Sequence, residues 1–169
     1  DLVTEVFRQQ ATYWHREKKF DRAEEAYRQV LHDVPAGPDD DKLRYACRLA
    51  ATATERDSRL VVYSPDARVL SAFDRLLWTF QSTRFVPHCR ATDPIAAETP
   101  VVLAAGEEAL PHHDVLLNLG DDWPPFFASF ERLLEVVGTD EDDKQRARGR
   151  FVFYRKRGYE INVNTIGGA

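Results

Sequence analysis

Apolar positions change their spacing several times along the chain, and each change marks an element. Over residues 1–37 the spacing is helical: Val3, Phe7, Ala11 and Trp14, then Ala23, Ala26, Tyr27, Val30 and Leu31. Asp21 is a good capping residue before the second run, and Pro35, Gly37 and Pro38 stop it. The pattern predicts a helical hairpin turning near residues 19–21. A rival reading makes residues 3–7 a short strand of the main sheet, but the period runs unbroken through Trp14 and favours helix. Residues 35–41 (PAGPDDD) read as a linker and helix start. Two units are therefore expected, a hairpin over 1–37 and an α/β domain over 41–169.

In the second unit, Leu43, Ala46, Cys47, Leu49 and Ala50 give residues 42–55 an apolar helical stripe, with Cys47 as a small core residue. Residues 59–64 (RLVVYS) form a continuous apolar run, the mark of a strand buried on both faces. A second amphipathic helix is expected over 67–80. Residues 99–105 and 115–120 read as strands, and Trp123-Pro124-Pro125 opens a short helix with Phe126, Phe127 and Phe130. Residues 133–138 read as a strand, or as a helix end running into one, and 160–164 as a last edge strand. Strands alternating with helices predict an α/β three-layer fold, a largely parallel sheet flanked by helices, with the hairpin added at the N-terminus.

Residues 140–159 (DEDDKQRARGRFVFYRKRGY) carry the most distinctive chemistry. Four acidic residues open the stretch and a basic cluster closes it before Gly158, which complements a helix dipole and supplies a helix stop. Seven Lys or Arg lie between 144 and 157, with Phe151, Phe153 and Tyr154 among them. On a helix, Lys144, Arg148, Phe151 and Arg155 share one face. Such a face has cations for acidic groups and a ring for an apolar one. A solvated surface is the plainer reading of the same charges, and core is the plainer reading of the rings.

Composition narrows the function. The formal net charge of −5 argues against bulk electrostatic binding of nucleic acid, so any DNA contact would be local. Cys47 and Cys89 have no zinc or redox spacing, and no leader or membrane-length apolar run is visible, which points to a reducing cytoplasm and no membrane. The lack of Met, with Asp first and Gly-Gly-Ala last, is what a piece of a longer chain would show. The first strand–helix turn, SPDARV, lacks a glycine-rich phosphate motif, so no cofactor is expected. His15, His32, His88, His112 and His113 stand without metal-ligand spacing, so no metal is expected, and no paired catalytic carboxylates stand out. The adjacent His88 and Cys89 leave a nucleophile pair open, with nothing else to support it. The acidic runs read as solvated helix caps and loops.

Two resemblances add to this reading. Phe7, Ala11, Trp14, Phe20, Ala23, Tyr27, Val30 and Pro35 resemble one tetratricopeptide repeat, although Lys18 and Lys19 stand where a glycine is usual. More extensively, residues 41–50 (DKLRYACRLA), 73–80 (FDRLLWTF), 84–90 (RFVPHCR), 96–103 (AAETPVVL), 115–130 (VLLNLGDDWPPFFASF) and 143–159 (DKQRARGRFVFYRKRGY) resemble, in order and spacing, the chi subunit of bacterial DNA polymerase III holoenzyme. Chi proteins begin with a strand before the helix matching 42–55. Here either that strand is missing or residues 3–7 supply it.

The resemblance implies a non-catalytic replisome adaptor. It implies a psi-like clamp-loader subunit as one partner and the acidic C-terminal tail of single-stranded-DNA-binding protein as another, with DNA met only indirectly. Lys144 and Arg148 match basic positions of the family's tail site and Phe151 an aromatic one, with Thr139 and Val152 as rims; helical geometry extends the site to Arg155. Trp78, Phe85 and Val86 match the surface toward psi, with Pro87 and His88 beside them. The rival function is direct binding of single-stranded nucleic acid by the basic, aromatic helix over 144–157. A nucleotide-binding enzyme and a repeat scaffold are further alternatives.

Overall fold

A computed structural model describes residues 10–15, 40–81, 85–106 and 109–165. In chain order the elements are β1 (Gln10–His15), α1 (Asp40–Glu55), β2 (Leu60–Tyr63), α2 (Ala67–Thr79), β3 (His88–Arg90), β4 (Val101–Ala104), β5 (Val115–Asn118), a 3-10 turn (Phe127–Ser129), β6 (Arg132–Val137), α3 (Glu141–Lys156) and β7 (Ile161–Thr165). One sheet holds all seven strands in the order β3-β4-β2-β5-β6-β1-β7. The first five are mutually parallel, with Leu60 opposite both Val101 and Val115, and Val115 opposite Arg132. β1 runs antiparallel to β6 on one side and to β7 on the other.

The continuous apolar runs of the central strands are explained by the two cores. Leu60, Val62, Val101, Leu103, Val115 and Leu117 face α1 and α2, where Tyr45, Cys47, Leu49, Leu70 and Phe73 meet them. Val61, Tyr63, Val102, Ala104 and Leu116 face the other way, toward Phe127, Phe130 and Tyr154. Alternate residues thus fill opposite layers, and no position in these strands is left for a polar side chain to solvent. The expected three-layer α/β fold is present.

The N-terminal expectation is corrected. Ala11 and Trp14, placed on a hairpin helix by their spacing, lie in strand β1, with Ala11 opposite Val136 and Trp14 opposite Leu133. That strand removes the first hairpin helix and the tetratricopeptide likeness built on it. Residues 3–7 and 16–39, including the second expected helix, lie outside the described residues. Pairing with strands more than a hundred residues away overrides the local period. β3 is a further departure: its three residues are too short for an alternation to register.

Two backbone features place the surfaces that matter below. Gly120 follows β5 so closely against β2 that a Cβ there would fall 2.9 Å from Pro65 Cδ. At the end of α3, Gly158 takes φ +83°, a left-handed value that a side chain would strain.

Candidate partner-binding surfaces

α3 is anchored at its N-terminal end. Asp140 caps it, its Oδ2 accepting from the Asp143 N–H at 3.1 Å. Asp143 is not a solvated cap residue. It is buried, and its Oδ2 accepts from the Gly138 N–H at 2.7 Å while Lys42 Nζ lies 3.0 Å from the carboxylate. The first turn of α3 is thereby tied to the β6 end and to α1.

The inner face of α3 carries Ala147, Arg150 and Tyr154. Arg150 is 3% exposed, and its Nε donates to Glu135 Oε2 of β6 at 2.8 Å. Its Nη1 donates to the Asp121 carbonyl at 2.6 Å. Glu135 Oε1 accepts from Tyr154 O–H at 2.8 Å and from Asn118 Nδ2 at 2.9 Å. Burial alone would lower the Arg150 pKa, but the facing Glu135 carboxylate outweighs it and holds the guanidinium above its ordinary value. Burial, then the Glu135 charge, push the Tyr154 phenol far up. Every charge in this network is met by a partner within the chain.

The expected recognition stripe lies beside that inner face. Lys144 is nearly buried, with its Nζ 3.4 Å from Glu141 Oε2. Arg148 is about one-third exposed in its side chain, with Nη1 3.5 Å from Glu141 Oε1. Phe151 is half-buried and has the Arg155 guanidinium 5.8 Å from its ring centroid. Val152 is exposed, and Thr139 is half-buried in the turn entering α3. The six residues occupy one end and one flank of α3, with Lys144 set deeper than a purely surface cation.

The second expected surface flanks β3. Trp78, at the end of α2, is 58% exposed and Phe85 is 62% exposed, with ring centroids 5.2 Å apart. A large ring left in water at that level is not part of the core. The buried His88 ring is the floor beneath them, with its centroid 4.9 Å from that of Trp78. His88 Nδ1 lies 2.6 Å from the Val86 carbonyl oxygen and Nε2 lies 3.3 Å from Asp74 Oδ1. Val86 itself is buried in the α1–α2 core, so Trp78 and Phe85 form the surface. His88 Nδ1 is committed to the Val86 carbonyl, while Cys89 packs on the opposite core, which separates the two as a nucleophile pair.

One surface feature escaped the sequence reading. Trp123 stacks on Phe153 at 3.8 Å with a 9° interplanar angle, and the Arg157 guanidinium lies 3.6 Å from the Phe153 centroid. The tripeptide Trp123-Pro124-Pro125 and the Phe153–Arg157 spacing were its signals in the sequence. Among the described residues no three His, Cys, Asp or Glu converge as a metal site requires. No helix among them is long and apolar enough to cross a membrane.

A family model described as DNA polymerase III chi subunit, HolC, matches residues 27–162. The chain belongs to the DNA polymerase III chi subunit family. It is 35% identical over 133 residues to the DNA polymerase III subunit chi of Pseudomonas aeruginosa, covering 79% of this chain and 92% of that protein. It is 27% identical over 123 residues to the subunit chi of Haemophilus influenzae, covering 72% of this chain and 85% of that protein. The subunit chi of Escherichia coli is 27% identical over 120 residues, covering 70% of this chain and 82% of that protein. The family match begins inside the stretch expected to be the second hairpin helix and takes in both surfaces described above.

Proposed function

We propose that this chain is a non-catalytic replisome adaptor that joins a psi-like clamp-loader subunit to the acidic C-terminal tail of single-stranded-DNA-binding protein. The observation that carries the reading is the α3 stripe: two cations, Lys144 and Arg148, beside a half-exposed ring, Phe151. A peptide with acidic residues and an apolar carboxyl-terminal residue presents the complementary chemistry. Trp78 and Phe85 are anchors of the kind that dominate protein interfaces, suited to the psi-like partner. They border β3, at one edge of the sheet, while α3 lies against β6 and β7 toward the other. Four strand spacings from β3 to β6 amount to roughly 19 Å. Two partners could therefore be held together, as an adaptor requires.

Magnitudes assign the roles. A micromolar affinity is about −8 kcal/mol. Exposed ion pairs give only about 0.2–1 kcal/mol each, so the ring must supply much of the binding while charge steers the tail. Direct binding of single-stranded nucleic acid fits less well. Of the cations over 144–157, Lys144, Arg146, Arg148 and Arg150 already face carboxylates of this chain.

The test is titration of a labelled acidic peptide into the parent, Arg148→Ala and Phe151→Ala across a salt series. Arg148→Ala should bind up to about 5-fold more weakly and Phe151→Ala about 30-fold more weakly, and only Arg148→Ala should flatten the salt dependence. Unchanged binding in both would refute the site, and tight binding of a naked oligonucleotide would favour the rival.

A further inference from the structure

Two cations of the stripe, Lys144 and Arg148, share one carboxylate. Glu141, Lys144 and Arg148 stand at i, i+3 and i+7 on α3, so all three project from one strip of the helix. One oxygen of Glu141 lies 3.4 Å from Lys144 Nζ and the other 3.5 Å from Arg148 Nη1. A carboxylate at the end of a peptide would bridge the same two cations in the same way. We propose that Glu141 is a built-in surrogate for the acidic ligand, occupying the cation pair in the unliganded protein and giving way when the ligand arrives. The inference rests on the reading of this face as an acidic-tail site and deepens it.

Three comparisons within the molecule support a displaceable contact. The buried pairs Glu135–Arg150 and Asp143–Lys42 close to 2.8 and 3.0 Å, whereas both Glu141 contacts are looser. The Glu141 side chain is 65% exposed, against 7% for Lys144, so the acid has solvent to swing into while the ammonium is enclosed. The other acids of the first turn are differently engaged. Asp140 caps the helix and Asp143 is locked to Lys42 and Gly138. Asp142 is exposed and lies about 100° round the helix from Glu141.

The arrangement has a consequence for selectivity. A nearly buried ammonium needs a counter-charge, and Glu141 provides one when no ligand is present. An incoming carboxylate can replace it without leaving Lys144 unmatched. A neutral peptide cannot, because displacing Glu141 would take away the carboxylate that the nearly buried Lys144 ammonium faces. Glu141 thus sets a threshold: only a tail that brings negative charge together with an apolar group for Phe151 takes the site.

Glu141→Gln and Asp142→Asn make the same change in net charge in the same turn, and their comparison isolates the contact. Affinity for a labelled acidic peptide with a free carboxyl end is read by fluorescence anisotropy, with circular dichroism to verify folding. Glu141→Gln should tighten binding about 5-fold, Asp142→Asn by less than about 2-fold, and the Glu141→Gln gain should vanish in an Arg148→Ala background. Equal gains from the two substitutions would overturn the proposal, since only net charge would then matter. Weaker binding by Glu141→Gln would overturn it too, by making Glu141 an organiser of the site. If neither the parent nor Glu141→Gln bound any acidic peptide, the tail-site reading itself would fall, and this inference with it.

Discussion

Cys47 lies on the inner side of α1 with no exposure to solvent, and burial pushes its thiol up to about 12 from an ordinary 9.0. The thiolate is disfavoured in the folded state alone. Stability from this group is therefore complete below the unfolded value and is lost as pH rises from about 9 toward 12. Between pH 9 and 10.5 the parent should lose about 1.5 kcal/mol more stability than Cys47→Ala, read from urea midpoints at the two pH values. Equal losses would show that the thiol ionises freely in place. The core role of Cys47 was legible from the apolar stripe around it. The opposite misjudgement was Asp143, which looks like any acid in a helix's first turn. Its burial depends on Lys42, a residue about a hundred positions away, and no local window reports that.

At the scale of the element, α3 combines an acidic first turn, a basic last turn and a glycine stop, and these signals made it readable in advance. Which of its cations turns inward was not readable. Positions 143, 144, 147, 150 and 154 are buried, and the arginine among them is tolerable only because Glu135 projects from β6 to meet it. A charged residue inside the run RLLEVV was the available signal that a buried partner exists. Removing the guanidinium leaves that carboxylate unmatched in the interior, so Arg150→Ala should cost about 3–5 kcal/mol in chemical denaturation. A loss below 1 kcal/mol would mean that water reaches Glu135. β1 misled for the opposite reason. Ala11 and Trp14 continue a helical spacing from Phe7, yet Thr12, Tyr13 and Trp14 are residues that favour strands, and β6 and β7 supply the partners that decide the matter.

Across the whole molecule, the sheet separates two surfaces of different character: an exposed aromatic pair at the β3 edge and a cation–ring stripe on the α3 side. Trp78 and Phe85 touch each other and His88 but remain more than half exposed, so they contribute little to the core. The double substitution Trp78→Ala with Phe85→Ala should shift stability by no more than about 1 kcal/mol while abolishing capture of a psi-like partner in size-exclusion chromatography. A large loss of stability would return these rings to the fold. Fold class could be read from sequence because it rests on short-range spacing, whereas the two expected surfaces were named from the family resemblance. The charge pairings that tune them join residues that meet only in the folded chain.

The central claim is that the α3 stripe captures an acidic chain end. Fluorescence anisotropy of a labelled acidic peptide ending in Ile-Pro-Phe, with its carboxyl end free or amidated, tests it most directly. Salt-sensitive binding of the free form, weakened at least about 10-fold by amidation, is the predicted result. Equal binding of the two forms, or none by a folded chain, would contradict it.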